Sequence, residues 1–239
     1  HIDSWHYGAT DNATGNVACL ELARVFHENQ DALLRGVRIA WWVGHSTGRY
    51  SGSTWYADQF WHELDDRCVA YINIDSPGSL GATDYGEVTA VPETAALVTE
   101  AVQQITGQTP SIARPLRAGD QSFWGVGLPS LYMLLSNRPE GQRAAVGGCG
   151  MGWWWHAEED LIDKADRQVL LKDTRIYAHS LARLVLEETL PLDIPAQIAD
   201  IQSFVGELSV IGGDRLDLSP VQDALSKLES SFQLALAGS

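Results

Sequence analysis

The sequence predicts an α/β fold, in which helices cover a sheet of mostly parallel strands. Residues 37–44 (VRIAWWVG) form a nearly continuous apolar run that ends at a glycine, which is typical of a strand covered on both faces. A second run of this kind follows at residues 68–78 (CVAYINIDSPG). Residues 13–27 instead repeat apolar side chains at helical spacing. These side chains are Val17, Leu20, Ala23 and Phe26.

The remaining chain continues this alternation and then changes character. Patterns predict helices at 53–64, 92–105 and 167–188 and a strand at 130–135. After Leu190 comes a short linker (PLDIP), followed by two amphipathic helices at 195–209 and 219–236. We therefore predict an α/β domain over residues 1–190 and a helical extension over residues 191–239.

Charge and hydropathy narrow the class of function. The chain has 16 basic and 31 acidic residues, a net charge of −15. This balance argues against nucleic acid or an anionic membrane as partner, because both bind clusters of Lys and Arg. No run approaches the roughly 18 apolar residues of a membrane span. Cys19, Cys68 and Cys149 have no paired spacing that indicates a disulfide. We expect a soluble protein, and the sequence leaves cytoplasm and secretion open.

The first fifteen residues (HIDSWHYGATDNATG) are dense in metal-ligand types. In an extended chain His1 and Asp3 point the same way, so Asp3 could support a metal-bound His1 from behind. Asp11 follows a glycine turn and precedes a helix, where a carboxylate could bridge two cations. From these residues alone, a strand end at His1 and a helix cap at Asp11 are the more ordinary interpretation.

Residues 8–24 (GATDNATGNVACLELAR) resemble the zinc-binding turn and helix of the co-catalytic zinc exopeptidases. That family includes bacterial leucyl aminopeptidases, glutamate carboxypeptidase and the catalytically silent transferrin receptor. The resemblance recurs in order over roughly residues 1–185. It implies a three-layer αβα sandwich with a mixed, mostly parallel central sheet. Since the first residue is already a candidate ligand, we expect part of the domain to precede His1.

The resemblance also implies a ligand set for two zinc ions. Asp11 would bridge them, His1 and Asp75 would complete one site, and His156 would belong to the other. Asp3 would provide the outer support of His1. Asp75 ends the strand-like run at 68–78, and His156 follows three tryptophans in a glycine-rich region. Outside this context, Asp75 would start a turn before a proline and His156 would be an ordinary packed aromatic neighbour.

One position departs from the family. There, two consecutive glutamates at a strand end supply the general base and a ligand of the His156 site. Here His45-Ser46 stands instead, and no carboxylate occurs between Gly44 and Tyr56. His45 could complete the site of Asp11 and His156 as a neutral ligand, or act as the base. The third outcome is a silent site.

A substrate pocket is the last feature that the resemblance implies. GDQSFWGVGLPSL at residues 119–131 is similar to the family segment that shapes this pocket. It would place Asp120, Phe123 and Trp124 near the site, and Trp155 could add an apolar wall. The alternative is that Asp120 is a cap and that Phe123 and Trp124 belong to the core.

These features predict a metal-dependent hydrolase of peptide or amide bonds, similar to an aminopeptidase or carboxypeptidase, with metal-activated water as nucleophile. The alternative is a silent relative that serves as a binding or assembly module. Some members of the family add a helical region for dimerisation after the catalytic domain, and insert a protease-associated domain before the segment that matches His1. By analogy, residues 191–239 could form a homodimer.

Overall fold

The computed structural model of the chain describes residues 1–115 and 122–237. Within it the chain forms two compact units, His1–Pro191 and Leu192–Ser239. Asp120, predicted to line the pocket, lies outside the described residues.

Unit His1–Pro191 contains five α-helices among its described residues. Their bounds are α1 Thr14–Glu28, α2 Ser51–Gln59, α3 Trp61–Arg67, α4 Ala95–Thr106 and α5 Arg167–Leu186. The longest helix is α5. Asp166, directly before its first residue, caps it, because the Asp166 carboxylate accepts hydrogen bonds from the N–H groups of Gln168 and Val169. That cap satisfies two of the main-chain donors that every helix start leaves unpaired.

The described strands are short and pair in parallel. Strand β1 (Tyr71–Ile72) pairs with β4 (Ser130–Leu131), and β2 (Glu87–Thr89) pairs with β3 (Ser111–Ala113). Helices joined to parallel strands confirm the α/β class, whereas each sheet described here has only two strands. The full three-layer sandwich therefore stays a prediction.

Residues 36–42 differ most from the prediction, because they form no strand. Within the described ranges, no main-chain hydrogen bond involves residues 36–41. The apolar side chains of this run are also half-exposed, and Val43 is 60% exposed. The composition of a central strand is present, but in the described part of the chain no strand pairs with it and its side chains are only partly covered.

The core lies between α4, α5 and the strands. Val98, Ala101 and Val102 of α4 are fully buried, as is Ile176 of α5. Tyr132 follows β4 and donates to or accepts from the Ser180 hydroxyl at 2.7 Å, so its buried phenol has a polar partner. Burial of a valine or isoleucine side chain contributes roughly 1.5–3 kcal/mol to the free energy of folding. These contacts therefore stabilise the packing of α4 and α5 against the strands.

Helix α1 presents a different face to the core from the one predicted. Ala18, Leu22 and Phe26 are buried at a spacing of four residues, whereas Val17 and Leu20 are more than half exposed. The buried row begins at Thr14, directly after the turn that carries Asp11. The orientation of α1 is therefore set by that turn.

Unit Leu192–Ser239 is a pair of helices, α6 (Ile194–Gly212) and α7 (Ser219–Ala237). The Asp193 carboxylate caps α6 by accepting from the Ala196 N–H at 3.0 Å. Among the described residues, no helix has the length and apolar character needed to cross a membrane.

Candidate metal centre

Four of the predicted ligands come together around Asp11. One carboxylate oxygen of Asp11 lies 3.0 Å from His1 Nε2, and the other lies 3.1 Å from His156 Nε2. Asp75 Oδ1 lies 3.4 Å from the same nitrogen of His1. The structure thus places a single aspartate between two imidazoles, with a second aspartate beside one of them.

The turn that carries Asp11 is held from behind by Asp160. Its carboxylate accepts from the main-chain N–H of Thr10 at 2.9 Å and of Asp11 at 2.9 Å, and from the Thr10 hydroxyl at 2.7 Å. Gly8 opens the turn at φ 61°, and a Cβ there would lie 2.4 Å from the Asp11 carbonyl oxygen. Asp160 lies four positions after His156 in an acidic stretch, and nothing in that stretch indicates a partner 150 residues away.

Asp75 is positioned by the residue next to Asp11. The Asn12 side chain accepts from the Ser76 N–H and donates to the Ile74 carbonyl, both at 3.1 Å. The peptide bond between Asp11 and Asn12 is cis. Farther back, the buried Asp173 carboxylate accepts from the Gly78 N–H at 2.8 Å. The Asp11 and Asp75 turns are therefore locked to one another through Asn12.

His1 is buried, and its two ring nitrogens have different surroundings. Nδ1 lies 2.6 Å from the main-chain oxygen of Asp3. Nε2 faces Asp11 and Asp75 but lacks the alignment of a hydrogen bond. Burial lowers the pKa of His1, but the two carboxylates outweigh it and raise the pKa to about 11. The surroundings therefore favour a positive charge at Nε2, whether a proton or a metal ion.

The Asp11 carboxylate is correspondingly stabilised as an anion. Burial alone would raise the pKa of Asp11, but the facing imidazoles of His1 and His156 lower it well below its usual range. Asp11 is thus in the ionised state that metal binding requires.

The role of Asp3 differs from the expectation. The Asp3 carboxylate does not face the His1 ring; it accepts from the main-chain N–H groups of His45, Ser46 and Thr47 at 3.0–3.1 Å. His1 is supported by the main-chain oxygen of Asp3 instead. Asp3 therefore fixes the loop in which the family's two glutamates are replaced.

His45 lies on the His1 side of the centre, which differs from the expected completion of the His156 site. Its ring stacks on the His1 ring, with centroids 3.8 Å apart and planes at 3°. His45 Nε2 lies 3.9 Å from Asp75 Oδ2. Burial, together with the charge of His1, lowers the pKa of His45.

The His156 end of the centre is more open. His156 has a positive φ of 61°, and Trp155 stacks on its ring at 3.7 Å. The buried Trp154 donates from Nε1 to the Thr10 hydroxyl at 3.1 Å. Trp155 thus contacts a candidate ligand, as the pocket prediction requires, while Trp154 anchors this loop to the Asp11 turn.

The other pocket predictions fare differently. Phe123 is 3% exposed and packs against Trp42 and Tyr71 in a hydrophobic cluster, and it also lines a cavity that reaches His1. Residues of α2 and α3, Ala57 and Leu64, belong to the same cluster. Trp124 is half-buried and lies under the guanidinium of Arg114 at 5.9 Å.

The donor set fits a zinc ion. Nitrogen atoms of His1 and His45 and an oxygen of Asp75 all lie within 4.8 Å of one another. Imidazole and carboxylate are typical zinc ligands. Nε2 of His1 is buried and faces carboxylate oxygens without a hydrogen bond, which suits a metal ligand.

Histidines and aspartates gathered at neighbouring strand and turn ends define a class of α/β protein with a candidate metal centre. The sequence profile of Peptidase family M28 matches residues 1–181. The chain belongs to this family.

Individual relatives agree over a shorter stretch. The chain is 35% identical over 79 residues to "Aminopeptidase NAALADL1" of Mus musculus, covering 31% of this chain and 10% of that protein. It is 31% identical over 78 residues to "Probable glutamate carboxypeptidase VP8" of Zea mays, covering 31% of this chain and 11% of that protein. The chain therefore spans about a tenth of the length of these curated relatives.

Solved structures share the fold. A zinc aminopeptidase from Bacillus subtilis, BSAP, has a TM-score of 0.62 and 19% identity, covering 78% of this chain and 45% of that one. An aminopeptidase from Aneurinibacillus sp. strain AM-1 has a TM-score of 0.55 and 19% identity, covering 80% and 43%. At these identities the likeness concerns the fold.

Proposed function

We propose that the chain carries the catalytic centre of a metal-dependent hydrolase of peptide or amide bonds. The observation that carries this proposal is Asp11, whose two oxygens face His1 and His156 at 3.0 and 3.1 Å. Membership of Peptidase family M28 supports it. By name, the matched proteins include aminopeptidases and a probable carboxypeptidase, so exopeptidase substrates are the first that we would test.

We propose zinc as the metal and two ions as its number. His1, Asp11 and Asp75 would hold one ion, and Asp11 and His156 would hold the other. When bound, the ions would supply Lewis-acid polarisation of the scissile carbonyl and lower the pKa of a water molecule. Asp160 and Asn12 would keep the two aspartates oriented, a role whose loss typically weakens metal affinity by roughly 10- to 100-fold.

His45 is the residue on which activity depends in this proposal. Its stacking on His1 and its 3.9 Å approach to Asp75 support His45 as a further ligand of the first ion. That ion would then have four protein donors and the ion at His156 only two, so the first would bind more tightly. As the alternative, the neutral His45 ring would accept a proton from the attacking water at Nε2.

A specific observation also supports a second candidate, a catalytically silent module that binds or assembles. Residues 45–55 contain no carboxylate, and the nearby Asp3 carboxylate is engaged by three main-chain N–H groups. The position of the family's base is therefore filled by His45-Ser46 without an obvious carboxylate substitute. A homodimer through α6 and α7 also remains a prediction.

Zinc titration with a chelator-competition readout, combined with hydrolysis of a panel of amino-acid p-nitroanilides, tests these candidates. We expect two classes of zinc site in the unmodified chain, and loss of only the weaker class in His156→Ala. Weakening of the tighter class in His45→Ala would identify a ligand. Unchanged zinc binding with a rate lower by roughly 100- to 10,000-fold would identify a base. His27→Ala, on the exposed end of α1, is the control.

The absence of zinc binding in the unmodified chain would contradict the hydrolase and leave the silent module. Two sites of equal affinity would contradict the unequal donor sets that place His45 beside His1.

A further inference from the structure

The loop that begins at His45 has a charge opposite to that of the chain as a whole. Residues 44–56 (GHSTGRYSGSTWY) contain one arginine, Arg49, no lysine and no carboxylate, whereas the chain has a net charge of −15. A chain this acidic repels anions at long range, so an anionic ligand needs a specific cation beside its binding site. Arg49 is exposed, and none of the described carboxylates forms an ion pair with it. Its charge is therefore available to a ligand.

A row of rings connects Arg49 to the candidate metal centre. The His1 and His45 rings are stacked with centroids 3.8 Å apart. Tyr50 meets the His45 ring edge-on, with centroids 4.8 Å apart. The Arg49 guanidinium lies over the Tyr50 ring at 5.7 Å from its centroid, a contact in which the ring face attracts the cation. Arg49 is thus separated from the candidate ligand His45 by a single aromatic ring.

The main chain holds Arg49 and Tyr50 in a conformation that is uncommon for residues with a Cβ atom. Both lie in the left-handed region, with φ values of 50° and 68°. Hydrogen bonds close the loop around them, because the Tyr50 N–H donates to the His45 carbonyl at 3.1 Å and the Ser51 N–H donates to the Gly44 carbonyl at 3.0 Å. The loop therefore fixes the point from which the Arg49 side chain leaves the main chain.

The chemistry of a guanidinium group indicates which anion would bind here. Its planar fork of N–H donors matches the two oxygens of a carboxylate. An exposed pair of this kind contributes little when the partners meet freely in water. A peptide whose amide is already bound at the metal centre differs, because its carboxylate is held near Arg49 at high effective concentration. One extended residue adds only about 3.3–3.6 Å, so a carboxylate on the neighbouring residue suits a long side chain at this position.

We propose that Arg49 recognises a substrate carboxylate one residue away from the scissile amide, with Tyr50 positioning its guanidinium. The substrate class is then short peptides that carry this carboxylate either at the chain end or on an acidic side chain. The inference rests on the function proposed above for the fate of the bound peptide. Recognition itself is a binding event and can be measured without hydrolysis.

Three dipeptides of nearly the same shape test the proposal. Alanylglutamine has a terminal carboxylate, alanylglutamate α-amide has only a side-chain carboxylate, and alanylglutamine amide is neutral on both. Isothermal titration calorimetry of the zinc-saturated chain at low salt measures their affinities. We expect at least one carboxylate peptide to bind about tenfold more tightly than the neutral amide, and the one that does so identifies the source of the carboxylate.

Variants of Arg49 assign the preference to its charge and shape. Arg49→Gln should bind all three peptides with equal affinity, whereas Arg49→Lys should keep a preference of roughly threefold, because an ammonium group retains the charge but not the fork. Arg175→Gln, exposed on α5, is the control and should keep the full preference. Where the peptide is hydrolysed, Arg49→Gln should raise KM about tenfold and leave kcat within about twofold, as expected for loss of uniform binding.

Equal affinity for the three peptides in the unmodified chain, or no measurable binding of any of them, would overturn the proposal. A preference that survives in Arg49→Gln would overturn it in favour of direct contact between the carboxylate and the metal. A preference that disappears in Arg49→Gln, with no peptide hydrolysed, would confirm the recognition by Arg49 and contradict the hydrolase alone.

Discussion

The turn around Asp11 and the loop around His45 lie beside the same histidine, yet the fold holds them differently. Thr10 and Asp11 are 0% and 4% exposed, and Asp160 binds the main chain of both. In the His45 loop, residues 47–49 are exposed, and the partly exposed Asp3 carboxylate supplies three of the bonds that hold its start. The Asp11 side is therefore built into the core, while the side that differs from the family begins at His45 and continues into an exposed loop.

Among the substitutions that test this difference, Asp11→Asn should have the largest effect on zinc affinity. The amide keeps the shape but loses the charge that faces both His1 and His156, so we expect both zinc classes to weaken by more than about 100-fold. Elemental analysis after dialysis measures this, with the exposed Asp31→Asn as control. Retention of two zinc equivalents would show that Asp11 is not shared between the sites.

The buried Asp173 carboxylate, which binds Gly78 behind the Asp75 turn, should make the free energy of unfolding depend on pH. Burial raises the pKa of Asp173 from 3.8 to about 6. The folded state thus holds this proton more tightly than the unfolded state, so stability from this group is present below about pH 4 and lost as pH rises through 6. The shift corresponds to roughly 3 kcal/mol.

Asp173→Asn should remove that component. Urea unfolding at pH 4.5 and pH 7 should therefore show a larger stability difference between the unmodified chain and the variant at pH 4.5. Asp223→Asn, exposed on α7, is the control. A difference that grows toward pH 7 would mean that the ionised carboxylate is the stabilised form.

Asp160→Asn tests how far the bonds from Asp160 hold the buried Asp11 turn in place. An amide offers one acceptor where the carboxylate offers two, so one N–H of Thr10 or Asp11 loses its partner. We expect zinc affinity to fall by roughly 10- to 100-fold while the ligands remain. Chelator competition measures it, with the exposed Asp163→Asn as the matched variant. Unchanged zinc affinity would show that Asp160 does not determine the position of Asp11.

Asp3→Ala should have the smallest effect, confined to the loop. It removes the acceptor of three N–H groups but keeps the main-chain oxygen that supports His1. Amides of residues 45–47 should exchange about tenfold faster, equivalent to about 1.4 kcal/mol, with zinc binding at His1 retained. Loss of zinc comparable to Asp11→Asn would restore the carboxylate of Asp3 as the support of His1.

The sequence predicted much of the frame for identifiable reasons. Helices α4 and α5 have strong apolar periodicity, and each begins and ends within three residues of its predicted bounds. The grouping of His1, Asp11, Asp75 and His156 followed from a resemblance in motifs, because the ligands lie up to 155 positions apart in the chain. No local pattern could have brought them together.

The features that the sequence did not predict depend on contacts with residues far away in the chain, and no single segment shows these contacts. Residues 37–44 have the composition of an inner strand, but strand formation requires a neighbour to pair with. Phe123 has the composition of either a pocket or a core residue, and only the structure shows that it packs against Trp42 and Tyr71. Asp160 and Asp3 act on main-chain N–H groups, which have no signature in sequence.

The bond between Thr10 and Asp160 has a consequence for the order of events during synthesis. It joins residues 150 positions apart, and the entropy of closing so long a loop is repaid only when most of the unit is packed. A growing chain exposes His1, Asp11 and Asp75 early but cannot fix the turn between them until Asp160 has emerged. In the function proposed above, the metal centre would therefore be completed only late in synthesis.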